Sequence, residues 1–378
     1  MTKMLYLIIT ISFLDTFIQL PIITPYAMEL GASNILAGGI VAIYSLTNML
    51  GNIIGGHWID RFGRKKMLLA GMATVTVILL FYPLAQTGEQ LFIVRLLHGL
   101  AGGVLIPAAF AYVGDQTTKR TRGKAMALTG ACIGAAAIFG PAIGGIMAAK
   151  SEIAYVFYLV AILFSLTILF ALKLIKESFK ASERSGVSLA HFLPLLKNKP
   201  LLQASLAAFA VMVSNGTLSF ALPLKVADMG ATSSTTGMLL STFGIVALIV
   251  FLTPLNRMYD RISPIKLVVI GLSTIAMVHI LLNLAVTVTV GYGLMTIYGV
   301  GFALVFPSMN RIVSEVSSKV DRGKAYGIFY AFFSLGAVVG SFLSGVAIEI
   351  TGLPFSSSAT IMLLIGFYLL VTSRKNKR

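Results

Sequence analysis

Apolar residues fill this chain in runs of about 20 residues or more, the length a helix needs to cross a bilayer. Short polar breaks separate them. The runs cover residues 5–27, 37–58, 67–86, 91–114, 125–149, 153–174, 202–224, 235–257, 265–287, 290–313, 324–348 and 353–373, which predicts twelve membrane-spanning helices. The first run is no cleaved leader: it is longer than a signal core, no small-residue cleavage site follows it, and Asp15 stands in its middle. One long polar connection, 175–200, carries Ser-Gly and Pro punctuation and divides the chain into a bundle over 1–174 and a second over 201–378. Inside that connection the segment 189–196 is apolar but too short to span, so it either lies along the membrane interface or is a disordered linker.

Composition turns this pattern into a class. With 57% hydrophobic and 11% charged residues and a mean hydropathy of +0.92, the chain is an integral membrane protein, since about a quarter of residues are charged in an ordinary globular domain. A net charge of +16 raises the question of nucleic acid, but the basic residues concentrate in alternate loops and form no aromatic-interleaved basic face. Their placement follows the positive-inside rule and predicts a cell-membrane protein with both termini in the cytoplasm. The one cysteine, Cys132, and four histidines have no metal-ligand spacing. No phosphate-binding loop and no catalytic constellation occur either. Neither cofactor nor metal is expected, an enzyme is the least favoured class, and an ion gradient is left as the energy source.

The two bundles repeat one another at an offset of 200 residues. Asp60-Arg61 recurs as Asp260-Arg261, Gly99 as Gly299, Pro107 as Pro307, and Arg122-Gly123-Lys124-Ala125 as Arg322-Gly323-Lys324-Ala325, while Asp115 is answered by Glu315. A drift-free repeat predicts two six-helix halves of the same orientation. It is imperfect where Gly63-Arg64 meets Ser263-Pro264.

Three stretches carry a family resemblance. Gly56-x-x-x-Asp60-Arg61-x-Gly63-Arg64-Lys65-Lys66 resembles the loop 2-3 signature of the major facilitator superfamily. Arg95-Leu96-Leu97-His98-Gly99 resembles its span-four signature, with His98 in place of the usual glutamine. Gly140-Pro141-Ala142-Ile143-Gly144-Gly145 resembles the span-five signature typical of its exporters, with Ala136 in place of a usual glycine; close helix packing without directional meaning is the other reading of these glycines. Asp15-x-x-x-x-x-Pro21 is similar to span one of the drug:proton antiporter branch. The resemblance implies an all-α fold of twelve helices in two six-helix bundles, working as a monomer by alternating access. It implies export of a drug-like compound or a secreted metabolite such as a metallophore against proton entry. It also implies a cytoplasmic latch in which Arg64 pairs with Asp115 and Asp60 faces the helix start near Gly323, with Arg61 and Gly63 completing the turn. A proton-coupled uptake symporter and a non-transporting membrane sensor stay open as alternatives.

Ionisable residues inside spans cost at least a few kcal/mol each and are seldom retained without use. Burial favours the neutral form of Asp15, so the group can take a proton from one side and release it to the other as its hydration changes; holding a hydrogen-bond network together is the alternative. Arg95 and His98 join it as coupling candidates. For Arg95 the competing reading is snorkelling to the outer interface, and for His98 a pairing with another helix. Polar groups expected to face a solute cavity are Gln19, one turn from Asp15, with Asn48, Asn52, Asn215, Thr217, Tyr298 and Asn310. Asn215 stands where Asp15 maps in the repeat. The expected partners are therefore a small-molecule solute, protons and the bilayer.

Overall fold

The computed structural model describes residues 2–116, 122–178, 195, 197–316 and 322–375. Its helices are α1 (Thr2–Ile18), α2 (Ile23–Glu29), α3 (Asn34–Phe62), α4 (Arg64–Leu79), α5 (Gly88–Gly102), α6 (Leu105–Asp115), α7 (Arg122–Lys150), α8 (Ala154–Leu174), α9 (Lys199–Asp228), α10 (Ser233–Leu252), α11 (Met258–Arg261), α12 (Pro264–Leu284), α13 (Val288–Val316), α14 (Arg322–Thr351) and α15 (Ser356–Lys375). Among the described residues, 11 helices are long and apolar enough to span, and 12 if α1 and α2 count as one span bent by 45°. The segment 189–196, read as either an interfacial helix or a disordered linker, falls almost wholly outside the described residues.

The break in the first span has a local cause. Pro21 has no N–H to donate, and the chain closes around it with turns in which Ile22 and Ile23 both donate to the Gln19 carbonyl at 3.1 Å. In the fourth span an interruption between α5 and α6 falls at Gly103 and Val104. Helix starts carry the caps that their sequences predict: Ser33 accepts from Leu36, Thr87 from Gln90, and Asn198 from Leu201.

Contacts divide the chain into two compact units, Met1–Glu183 with Gly230–Ser241, and Arg184–Met229 with Thr242–Arg378. In the first, α3 packs on α5 and α1 on α7. Gly144 permits the second contact, because a Cβ there would lie 1.9 Å from the Ile18 carbonyl oxygen. Gly145 does the same for the first turn of α10, with a hypothetical Cβ 2.2 Å from the Ser233 oxygen. In the second unit α9 packs on α14 and α12 on α13.

The turn after α3 needs its glycine for a different reason. Gly63 has φ +103°, and α4 starts directly behind it without a capping side chain of its own. Glu177, just past α8, supplies the cap: its carboxylate accepts from the Arg64 N–H at 2.9 Å and the Lys65 N–H at 3.2 Å, an anion at a helix N-terminus. Replacing Glu177 with alanine should lower the stability of the purified protein by about 1 to 2 kcal/mol, read as a fall in melting temperature. An unchanged melting temperature would show that the cap is dispensable.

Candidate functional site

Five buried side chains in the first unit close a ring of polar contacts. From α1, Asp15 Oδ1 accepts from Gln19 Nε2 at 2.8 Å, and Asp15 Oδ2 lies 2.9 Å from His98 Nε2 on α5. His98 Nδ1 lies 2.8 Å from the Tyr82 hydroxyl. Arg95 Nη1 donates to that hydroxyl at 3.5 Å and to Gln19 Oε1 at 2.9 Å, returning the circuit to α1. All five are nearly inaccessible, from 0% for His98 and Tyr82 to 6% for Arg95.

Local structure explains why these groups meet. Asp15 and Gln19 are four residues apart on one helix face, and the bend at Pro21 follows immediately. His98 and Arg95 sit three residues apart on α5, about two turns and more from its start at Gly88. Arg95 therefore does not snorkel. Its guanidinium lies 4.3 Å from the centroid of the Tyr44 ring and its Nε donates to the Ile40 carbonyl at 3.4 Å, a cation–π contact plus a backbone acceptor from α3. Tyr44 is itself bonded to Thr16 at 3.0 Å. Tyr82 is stacked on Phe157 of α8 with centroids 4.1 Å apart, and its carbonyl accepts from the Tyr26 hydroxyl.

Donor and acceptor capacities leave one assignment that satisfies the ring with Asp15 ionised and His98 neutral. His98 Nε2–H donates to Asp15 Oδ2, the Tyr82 O–H donates to His98 Nδ1, and Arg95 donates to Tyr82 and Gln19. The Asp15–His98 pair can take up one further proton: the Oδ2–Nε2 contact already holds one, so the other is carried on His98 Nδ1. It turns the His98–Tyr82 bond around, because Nδ1 must then donate. The ring thus has two proton-bonding patterns that differ by one proton, and tyrosine is the group that reverses.

Other expected residues have separate surroundings. Asn48 donates to the Gly99 carbonyl at 3.4 Å and Asn52 to Asn48 Oδ1 at 3.1 Å. In the second unit Thr217 and Tyr298 are fully buried, Thr217 donating to the Gly340 carbonyl and Tyr298 bonded to Ser214 at 2.9 Å. Ser214 also bonds His279 Nε2 at 2.9 Å, and Ser358 meets the other ring nitrogen. Asn215 and Asn310 are half-buried. An apolar groove of about 340 Å³ formed by Ile78, Phe81, Leu84, Ile93 and Leu97 carries none of the polar groups expected to meet solute.

At the Arg64 end, Arg64 Nε lies 3.0 Å from Asp115 Oδ2, and Ser178 donates to the same carboxylate oxygen at 3.0 Å. The expected approach of Asp60 to the Gly323 end lies outside the described side chains. In the second unit Pro264 leaves no guanidinium at the Arg64 position, and Arg311 fills the role from α13. It pairs with Glu315 at 2.6 Å and donates to the Tyr259 carbonyl in the α11 turn. The Tyr259 hydroxyl donates to the Ala303 carbonyl at 2.7 Å, and burial pushes that phenol up to about 12. Gly140 meets Phe17 and Gly144 meets Ile18, while the Pro141 carbonyl packs against Gly237 on α10, where a Cβ would collide with it.

Reading single residues missed Tyr82, Tyr44 and Glu177. Each lies in a loop or span with no motif around it, and only the fold brings it to its partner.

Comparison with known proteins agrees with the fold. The model of the Major Facilitator Superfamily matches residues 5–224 and 204–378. Multidrug resistance protein 1 of Bacillus subtilis is 28% identical over 379 residues, covering 96% of this chain and 93% of its own. Multidrug resistance protein MdtG of Klebsiella pneumoniae is 28% identical over 334 residues, covering 85% and 80%. Among solved structures, a bacterial homolog of the human lysosomal transporter Spinster superposes with a TM-score of 0.83 at 14% identity, over 99% of this chain and 96% of that one. A POT family transporter superposes at 0.82 with 15% identity, over 100% and 96%. At such identities these structures speak for the fold.

Proposed function

Since the chain belongs to the major facilitator superfamily and is a multi-pass membrane transporter rather than an enzyme, we propose that it exports small organic solutes from the cytoplasm in exchange for protons. It would do so as a monomer in the cell membrane, with both termini cytoplasmic. One observation carries the reading: among the described residues, Asp15 is the only carboxylate that is buried, and it sits in a ring with room for one more proton. The names of the multidrug resistance relatives support a drug-like or metabolite solute and outward direction.

Coupling follows from charge. With Asp15 ionised and Arg95 cationic, the ring is neutral and tolerates burial; with one added proton it carries a net positive charge, which is costly in a dry interior. The protonated ring therefore favours the conformation that hydrates it or brings solute beside it. Rocking of the two halves converts that preference into alternating exposure.

Proteoliposomes holding the full chain give the test. With ethidium as probe, vesicles oriented for export should accumulate the dye against its gradient when the trans side is acid, and an uncoupler should abolish accumulation. Accumulation driven by protons moving in the same direction as the dye would favour the uptake symporter instead.

The latch belongs to the same reading. Arg64, paired with Asp115, and Asp60 hold the cytoplasmic side closed while the cavity faces outward. Asp60→Asn should shift the population toward the inward-open form by on the order of 1 to 2 kcal/mol, measured as a changed ratio of cysteine labelling on the two faces. A parental ratio would reduce the charged turn to a topology signal.

A further inference from the structure

We infer that Gln19 is a positioning residue for proton exchange: its amide holds Arg95 away from Asp15 and confines the exchangeable proton to the Asp15–His98 pair. The inference rests on the proton-coupling reading above and adds a residue that was expected to face solute. Gln19 is 1% exposed, and both ends of its amide are engaged inside the ring. Its oxygen accepts from Arg95 and its nitrogen donates to Asp15 Oδ1.

An amide cannot take or give a proton in this range, so the Gln19 side of the carboxylate is closed to exchange. Oδ1 already accepts the amide N–H. Oδ2, 2.9 Å from His98 Nε2, is the oxygen left for the proton. The amide also separates the two charges. A guanidinium and a carboxylate in direct contact form a strong bidentate pair, which would hold Asp15 ionised; with Gln19 between them, the attraction is weaker and the acid remains able to cycle.

Other charges near Asp15 do not account for this arrangement. The titratable groups facing it are His98 and Arg95 from α5, Tyr44 from α3 and Tyr82. On its other flanks, α6 and α7 carry charged residues only at Asp115, Arg122, Lys124 and Lys150, and α8 adds Tyr155, Tyr158 and Lys173. All the charged residues among these lie at helix ends.

Difference titration of the purified full-length protein in detergent tests the assignment without needing a solute. Protons bound by the parent minus those bound by Asp15→Asn define the step that belongs to the ring. Each Gln19 variant is measured against its own Asp15→Asn double variant. In Gln19→Leu the guanidinium can reach Asp15, and the step should move to lower pH by one unit or more. In the near-isosteric Gln19→Glu a second carboxylate faces Oδ1, and the step should move to higher pH by a similar amount. Displacement in opposite directions is the signature, because loosened packing would not move the two variants oppositely. Should the leucine variant not fold, the glutamate variant alone decides by the sign of its displacement. Midpoints within a few tenths of a unit of the parent would overturn the role of Gln19 while leaving the coupling reading in place. Absence of any Asp15-dependent step in the parent would overturn both.

Discussion

Asp15→Asn should abolish proton-driven transport while leaving solute binding largely intact. Asparagine keeps the size of the side chain and can still accept from Gln19, so the ring survives as packing. It cannot hold the proton. A general acid or base in position is worth on the order of a hundredfold or more, and on the proposed coupling this group carries the transported proton itself, so the expected loss of accumulation in proteoliposomes is at least that large. Downhill exchange of ethidium across the same vesicles should persist, because alternating access needs no proton. Undiminished accumulation in this variant would remove Asp15 from the mechanism.

Arg95→Gln should cost the protein about 3 kcal/mol, the scale of leaving a buried charge uncompensated. Thermal denaturation of the detergent-solubilised variant should show a correspondingly lower melting temperature than the parent. An unchanged melting temperature would mean that the buried guanidinium contributes nothing to the stability of the ring.

Hydropathy made the spans legible, because a bilayer imposes one length on every crossing and the chain has no other way to satisfy its backbone groups. It could not show the bend of the first span as more than a proline, since a kink changes direction without changing composition. The site was half legible. Asp15, Arg95 and His98 stand out as polar residues in apolar surroundings, and the fold brings all three together. Gln19 stands out equally, yet its neighbours Arg95 and Asp15 are 76 and 4 residues away, and only the first separation decides that it bridges charges. Glu177 was hidden for the opposite reason. In a polar connection one more glutamate carries no contrast, although its cap on α4 spans 113 residues.

The second unit has a polar centre too, but it is built from hydroxyls around His279, and Tyr298 and Asn215 occupy the positions that map onto His98 and Asp15. No carboxylate appears among those partners. If only the Asp15 ring loads a proton, the proposed exchange has a fixed gear ratio, one proton per turnover. Each pH unit across the membrane, about 1.4 kcal/mol, then supports at most a roughly tenfold accumulation of a neutral solute from the chemical gradient alone. When the solute is a monovalent cation the exchange moves no net charge, and membrane voltage, which would otherwise add about 2.3 kcal/mol per 100 mV, drops out of the driving force.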